Sequence, residues 1–111
     1  MTNLYEELKR RLAPGFYPDN LLAAARLAHE ASWQTSAPLG LYVLSEVLSS
    51  LAEEWPEQGI ASSVAEEMTL IMKPPIDAYI EAASARELTT EEEAAYLNGI
   101  LRALLQWESG R

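Results

Sequence analysis

A chain of 111 residues is long enough to form one domain with its own core, and the absence of cysteine excludes disulfides, thiolate metal sites and cysteine nucleophiles. Its formal net charge of −9 argues against binding to nucleic acids or anionic membranes, since both need a basic face. No apolar run approaches the ~20 residues of a membrane span, and the amino terminus lacks the apolar region of a signal peptide. We therefore predict one soluble domain over residues 1–111, located in the cytoplasm.

The first two predicted elements are α-helices that meet at a turn. The first runs from about Asn3 to Ala13, where Pro14 and Gly15 end it. The second begins at Pro18, because the fixed φ of proline suits the first helical turn. Its body is rich in alanine, and such a helix lets a neighbouring helix approach closely.

The third helix carries the longest apolar stripe of the chain, and it begins near Ser36. The stripe consists of Leu41, Leu44, Val47, Leu48, Leu51 and Trp55. It indicates either the central helix of the fold or half of a dimer seam. We predict that Leu41, Leu44 and Leu48 contribute to self-association.

A pair of prolines divides the next part of the chain. A fourth helix is expected from about Ile60 to Met72, followed by Pro74 and Pro75, which lack amide donors. The segment 76–86 is then either a separate fifth helix or the kinked continuation of the fourth. The predicted fold is an all-α, compact bundle of five to six helices.

The last helix has the clearest start signal in the sequence, a capping box made either by Thr89 with Glu92 or by Thr90 with Glu93. It continues to about Trp107. A ridge of small residues at four-residue spacing predicts a close helix–helix crossing, and we include it in the self-association surface. The ridge consists of Ala95, Gly99 and Ala103.

Charge is distributed unevenly along the chain. No lysine or arginine occurs between Leu27 and Met72, whereas bases cluster near the amino terminus. The glutamates of the base-free stretch are Glu30, Glu46, Glu53, Glu54, Glu57, Glu66 and Glu67. This asymmetry suits a partner protein with a basic surface, or a head-to-tail contact between copies of the chain; the alternative is that it only confers solubility.

Catalytic patterns are scarce. His29 is the one histidine, and its neighbour Glu30 points about 100° away from it on a helix, so the two do not form a catalytic pair. There is no Gly-rich phosphate loop and no Glu-x-x-His pair. We therefore predict no enzymatic activity, no cofactor and no metal.

One acidic pattern, Glu53-Glu54-x-x-Glu57, resembles the magnesium-binding helix of all-α nucleotide pyrophosphohydrolases. That resemblance implies a carboxylate–magnesium hydrolase. However, Pro56 interrupts the pattern, and neither aspartate of the chain completes the Glu-x-x-Asp run that follows it in that family. The chain is not assigned to the family, and the hydrolase stays the second alternative.

The same stretch predicts a docking corner around Trp55, because tryptophan is enriched at interface hot spots and can stack on a cation. The alternative is that Trp55 is a core residue. The predicted partner-binding residues are Trp55, Glu53, Glu54, Glu57, Glu66 and Glu67. We predict a small protein–protein interaction module that acts as an adaptor, assembly or regulatory factor and forms a homodimer. The first alternative is an acidic inhibitor or immunity-type protein that occludes a basic site.

Overall fold

Five α-helices make up most of the computed structural model, which describes residues 4–34, 39–53 and 62–109 and the side chains of all of these except 62–65. The helices are α1 (Leu4–Leu12), α2 (Pro18–Ser32), α3 (Leu39–Glu53), α4 (Ser62–Ala85) and α5 (Thr90–Ser109). The described ranges contain no β-strand, so the all-α prediction is confirmed for them. None of the described helices is long and apolar enough to cross a membrane.

The helices pack side by side in a closed ring. Helices α2 and α3 form one hairpin, α4 and α5 form another, α1 contacts α2 and α4, and α3 contacts α5. Apolar side chains from all five helices meet in one core. The radius of gyration of 13.4 Å is close to the ~13 Å expected for a compact chain of this length. The predicted compact bundle is therefore observed, with five helices.

The turn between α1 and α2 follows the prediction from Pro14, Gly15 and Pro18. Gly15 has a φ of 127°, a left-handed conformation that L side chains rarely adopt. The side chain of Asn20 donates a hydrogen bond to the carbonyl of Arg11 at 2.9 Å, which satisfies one free carbonyl at the end of α1. These contacts fix the angle between the first two helices.

Helix α4 continues through Pro74 and Pro75, so of the two alternatives the continuation of the fourth helix is observed. The two prolines cost the helix the hydrogen bonds that the carbonyls of Leu70 and Ile71 would accept. One buried stripe nevertheless runs past them at helical spacing, and burying it favours an unbroken helix. The stripe consists of Met68, Met72, Ile76, Tyr79 and Ile80. The fourth and fifth predicted segments are therefore one element.

The predicted self-association residues occupy two different environments. Leu41, Leu44 and Leu48 are buried in the core of the chain itself, so they do not present a seam on its surface. Their apolar stripe faces the other helices of the same chain, and this explains it without a second copy.

The predicted crossing at the small-residue ridge of α5 is wrong within the chain. Gly99 and Ala95 are exposed, and apart from the adjoining residues and backbone of α5 itself no heavy atom lies within 4 Å of the place where a Cβ on Gly99 would stand. Ala103 is partly buried against the core. Small residues permit a close crossing, but the buried face of α5 consists of larger side chains, Leu97, Ile100 and Trp107.

Another glycine does mark a close approach. Gly40 is buried at the start of α3, and a Cβ there would collide with the hydroxyl of Tyr79 on α4 and lie 2.6 Å from the Glu93 carboxylate on α5. Tyr79 is fully buried, so its ring cannot swing aside. Gly40 therefore allows α3 to close the ring against the second hairpin.

The start of α5 confirms the first of the two capping boxes. The backbone N–H of Glu92 donates to the Thr89 hydroxyl at 3.2 Å, and the backbone N–H of Thr89 donates to the Glu92 carboxylate at 3.1 Å. The Arg86 guanidinium also forms two hydrogen bonds to this carboxylate. The pKa of Glu92 is lowered to about 2, mainly by the hydrogen bonds that its carboxylate accepts from Arg86 and secondly by the one from the Thr89 backbone.

The two helical glycines form a matched pair for a stability test. Gly40→Ala should destabilise the fold by about 1–2 kcal/mol, because the added methyl overpacks the contact with Tyr79 and Glu93. Gly99→Ala should instead stabilise the fold by up to ~1 kcal/mol, because it adds helix propensity in open space. Urea unfolding followed by circular dichroism measures both, and equal effects of the same sign would contradict the Gly40 contact.

The capping box predicts a pH-dependent contribution to stability. Because the pKa of Glu92 falls from 4.5 to about 2 on folding, its charge stabilises the fold fully above about pH 4.5 and loses this effect as the pH falls through about 2. Glu92→Gln should lower the melting temperature at neutral pH, and the difference from the wild type should shrink below about pH 4.5. Glu91→Gln, in the same exposed turn, is the control and should change less. A difference for Glu92→Gln that stays constant down to about pH 3 would contradict this role.

Candidate functional site

An exposed row of three rings crosses one end of the α2–α3 hairpin. Trp33 caps the carboxyl end of α2 and is 78% exposed. Its indole N–H donates to Nε2 of His29 at 3.3 Å, and the two rings meet edge-on with their centroids 6.0 Å apart. The imidazole also lies 6.3 Å from the ring of Tyr42 on α3. We call His29, Trp33 and Tyr42 the aromatic row.

A groove leads away from the aromatic row between α2 and α3. Its volume is about 270 Å³, and it is lined by Leu22, Ala25, Arg26, His29, Glu30, Ser45, Glu46 and Ser49. Ala25 and Ser45 are buried at its floor. The Ser45 hydroxyl donates to the Tyr42 carbonyl at 2.6 Å, so this polar group is satisfied within α3. We call this depression the α2–α3 groove.

The charge of the α2–α3 groove is mixed but mainly negative. Glu30 and Glu46 are exposed along it, and Arg26 is the one base among its lining residues. Farther along α3, Glu53 is also exposed, and α3 contains no lysine or arginine. A cation that approaches this hairpin therefore meets more carboxylates than bases.

The residues predicted around Trp55 are only partly described. Trp55, Glu54 and Glu57 lie outside the described residues. Glu53 is exposed at the end of α3.

Glu66 and Glu67 are exposed on α4. Glu66 lines a second, more open depression, of about 390 Å³, next to Leu70, which is 75% exposed. The described part of the predicted set is therefore spread over two helices, α3 and α4, that are not neighbours in the ring.

The bases of α1 are engaged within the chain. Lys9 pairs with Glu81 of α4 at 2.6 Å, and Arg10 and Arg11 pair with Glu7 at 2.7 and 3.3 Å. A head-to-tail contact between copies would have to compete with these ion pairs. This weakens the prediction that the basic amino terminus binds the acidic middle of a neighbour.

A second polar cluster lies where four helices meet. Burial raises the pKa of the Tyr79 hydroxyl, and the nearby Tyr5 and Glu93 raise it further. Burial also raises the pKa of Tyr5, with Glu93 as the smaller cause. Both phenols therefore stay neutral and act as hydrogen-bonding groups rather than as nucleophiles. The cluster surrounds Gly40, and its role is to join α3 to the second hairpin.

The two described tryptophans, Trp33 and Trp107, differ in exposure to solvent, and helical periodicity explains the difference. Trp107 is 4% exposed because it stands seven residues, about two turns, after the buried Ile100. Trp33 instead follows Ser32, the last member of the buried stripe of α2, and so points about 100° away from it. The sequence favoured Trp55 as the surface tryptophan, whereas the stripe of α2 would have indicated Trp33.

Comparisons with protein-family models, with curated proteins and with solved structures find no significant match. Among the residues that the structure describes, no group of three or more histidine, aspartate or glutamate side chains could hold a metal ion. The geometry of the aromatic row and the α2–α3 groove is therefore the main guide to function.

Proposed function

We propose that this chain is a small, non-enzymatic interaction module that binds another protein through the aromatic row and the α2–α3 groove. The observation that carries the proposal is the exposure of Trp33. A tryptophan exposed to 78% costs solvation free energy that a core position would recover. Tryptophan is also the residue type most enriched at interface hot spots, where its large surface becomes buried on binding.

The neighbours of Trp33 extend this apolar surface. Leu39 is 58% exposed at the start of α3, one turn before the exposed Tyr42. Three exposed apolar side chains at one end of the α2–α3 hairpin support an interaction site there. The hydrogen bond to His29 satisfies the indole N–H, so the faces of the Trp33 ring are left for contact with a partner.

A basic surface on the partner is part of the proposal. Glu30 and Glu46 flank the α2–α3 groove, and the sequence contains no lysine or arginine from Leu27 to Met72. Complementary charge speeds association and rejects acidic partners more than it adds affinity. An adaptor, assembly factor or regulator would bind its partner through such complementary charge. This mode of binding suits the cytoplasm as well as other aqueous compartments.

The second candidate is an acidic inhibitor that occludes a basic site on its partner. Lys9, Arg10 and Arg11 form ion pairs with Glu81 and Glu7 of the same chain. This pairing favours the inhibitor, because these three cations do not neutralise the other carboxylates of the chain. The two candidates differ in their dependence on salt. If the chain binds by charge alone, its affinity for the partner should fall steeply as the ionic strength rises. If binding centres on Trp33, most of the affinity should remain at high ionic strength.

Self-association is a further part of the proposal, and the exposed leucines on the outer face of α5 support it. Leu105 is 63% exposed there, one turn after the exposed Leu101. The net charge of −9 opposes a dimer, so its formation depends on this apolar contact and on ionic strength.

Sedimentation equilibrium at micromolar protein concentration tests the dimer. We expect the molar mass of a dimer for the wild type and that of a monomer for Leu105→Lys, because a lysine at the centre of the apolar contact would be buried without a partner. Gln106→Lys, at the next and also exposed position of the same helix, adds the same single charge about 100° away from Leu105 and should keep the dimer. A monomeric wild type at physiological salt would contradict self-association.

Affinity capture of partners from the source cells tests the docking surface. We expect Trp33→Ala to lose the captured partner while melting at nearly the same temperature as the wild type, because its indole is mostly exposed. Trp107→Ala is the stability control and should cost about 3–5 kcal/mol, because it empties a core site.

Trp55→Ala in the same capture separates the two surfaces. If Trp55→Ala abolishes capture and Trp33→Ala does not, the partner binds the corner that contains Trp55, and the α2–α3 surface is wrong. If the wild type still captures the partner at high salt and both variants capture it equally well, neither tryptophan contributes to the interaction.

A further inference from the structure

The α2–α3 groove has the length of a short helix. Its lining runs along α2 from Leu22 to Glu30, and the aromatic row extends it to Trp33. At 1.5 Å per residue, the distance along α2 from Leu22 to Trp33 is ~16 Å, which is about three helical turns. An apolar residue stands at each end, with charged groups between them.

We infer, resting on the proposed function, that the occupant of the α2–α3 groove is an amphipathic helix of another protein. This helix lays apolar side chains against Leu22 and Trp33. Its lysines or arginines face Glu30 and Glu46.

The polar groups of the groove favour a helix over an extended peptide. An extended segment needs partners for its own backbone N–H and C=O groups, which it usually finds at the edge of a sheet. The described part of the chain has no sheet, and the Ser45 hydroxyl at the groove floor already donates to Tyr42. A helix satisfies its backbone internally and needs only side-chain contacts, at positions such as i, i+3, i+4 and i+7.

The charges around the groove favour a basic helix. A lysine or arginine can meet the carboxylates of Glu30 and Glu46 and can also stack on the exposed face of Trp33. Arg26 acts in the opposite direction, because it lines the same groove with a positive charge. The position of Arg26 gives the inference a sharp consequence: removing this charge should improve binding.

A second copy of the chain fits this groove poorly. Each copy carries a formal charge of −9, and the bases of its α1 are paired with Glu7 and Glu81. A copy that docked with α1 would have to break those ion pairs. The occupant is therefore assigned to a different protein with unpaired bases.

Synthetic helical peptides provide the probe. The test peptide has about 14 residues, ~21 Å as a helix, with leucines on one face and lysines and arginines beside them. A second peptide has the same composition in a shuffled order that removes the apolar face, and a third replaces every base with glutamate. Fluorescence anisotropy of the labelled peptides measures affinity for the full chain, and only the first should bind tightly.

Four variants then locate the site. Trp33→Ala should weaken binding of the basic amphipathic peptide at least about tenfold. Glu46→Arg should weaken it and Arg26→Glu should strengthen it, each about fivefold, because each reverses one charge at the rim of the groove. Glu67→Arg makes the same charge change on α4, which does not line the groove and is not a neighbour of α2 or α3 in the ring, and should leave the affinity within about twofold.

The gain of affinity in Arg26→Glu is the decisive result, because a misfolded variant cannot produce it. Equal binding of the ordered and shuffled peptides, or weaker binding to Arg26→Glu, would overturn the inference. Weakening by Glu67→Arg equal to that by Glu46→Arg would show that net charge, and not this groove, attracts the peptide. If Trp33→Ala abolishes capture of the partner but none of the peptides binds the chain, the occupant is not a helix. The proposed interaction module would then still stand.

Discussion

The approach of α3 to the second hairpin at Gly40 is the contact on which the closed ring of helices depends. A side chain larger than hydrogen at this position would push α3 away from Tyr79 and Glu93. The two hairpins would then be held mainly by α1, which contacts α2 and α4. Because the α2–α3 groove is lined by both of these helices, the position of α3 also affects its width. The core contact and the candidate docking surface are thus coupled through one helix.

Most of the helices could be predicted from local signals, because each signal acts within a few residues. Pro18 and the Thr89–Glu92 capping box start helices in the structure as expected. The continuity of α4 could not be predicted in this way, since the local effect of Pro74 and Pro75 opposes the burial of a stripe from Met68 to Ile80. Tertiary packing decides between these effects, and a linear pattern does not contain it.

The candidate site was less predictable than the fold. A run of apolar residues shows that a helix has an inner face, but not whether that face meets its own chain or another one. Leu41, Leu44 and Leu48 meet their own chain. The aromatic row combines residues of two helices, since His29 and Trp33 come from α2 and Tyr42 from α3. Such a combination depends on how the helices are set against each other, which spacing within one helix does not specify.

The ion pairs of α1 have a consequence for how the molecule approaches a charged surface. Helix α1 carries three bases against two acids, and its neighbours in the ring are α2 and α4. Helix α3, on the other side of the ring, carries Glu46 and Glu53 and no base. The molecule therefore has an electric dipole across the bundle in addition to its net charge. In the field of a cationic surface this dipole turns α1 away from that surface before contact, which shortens the orientational search that limits association.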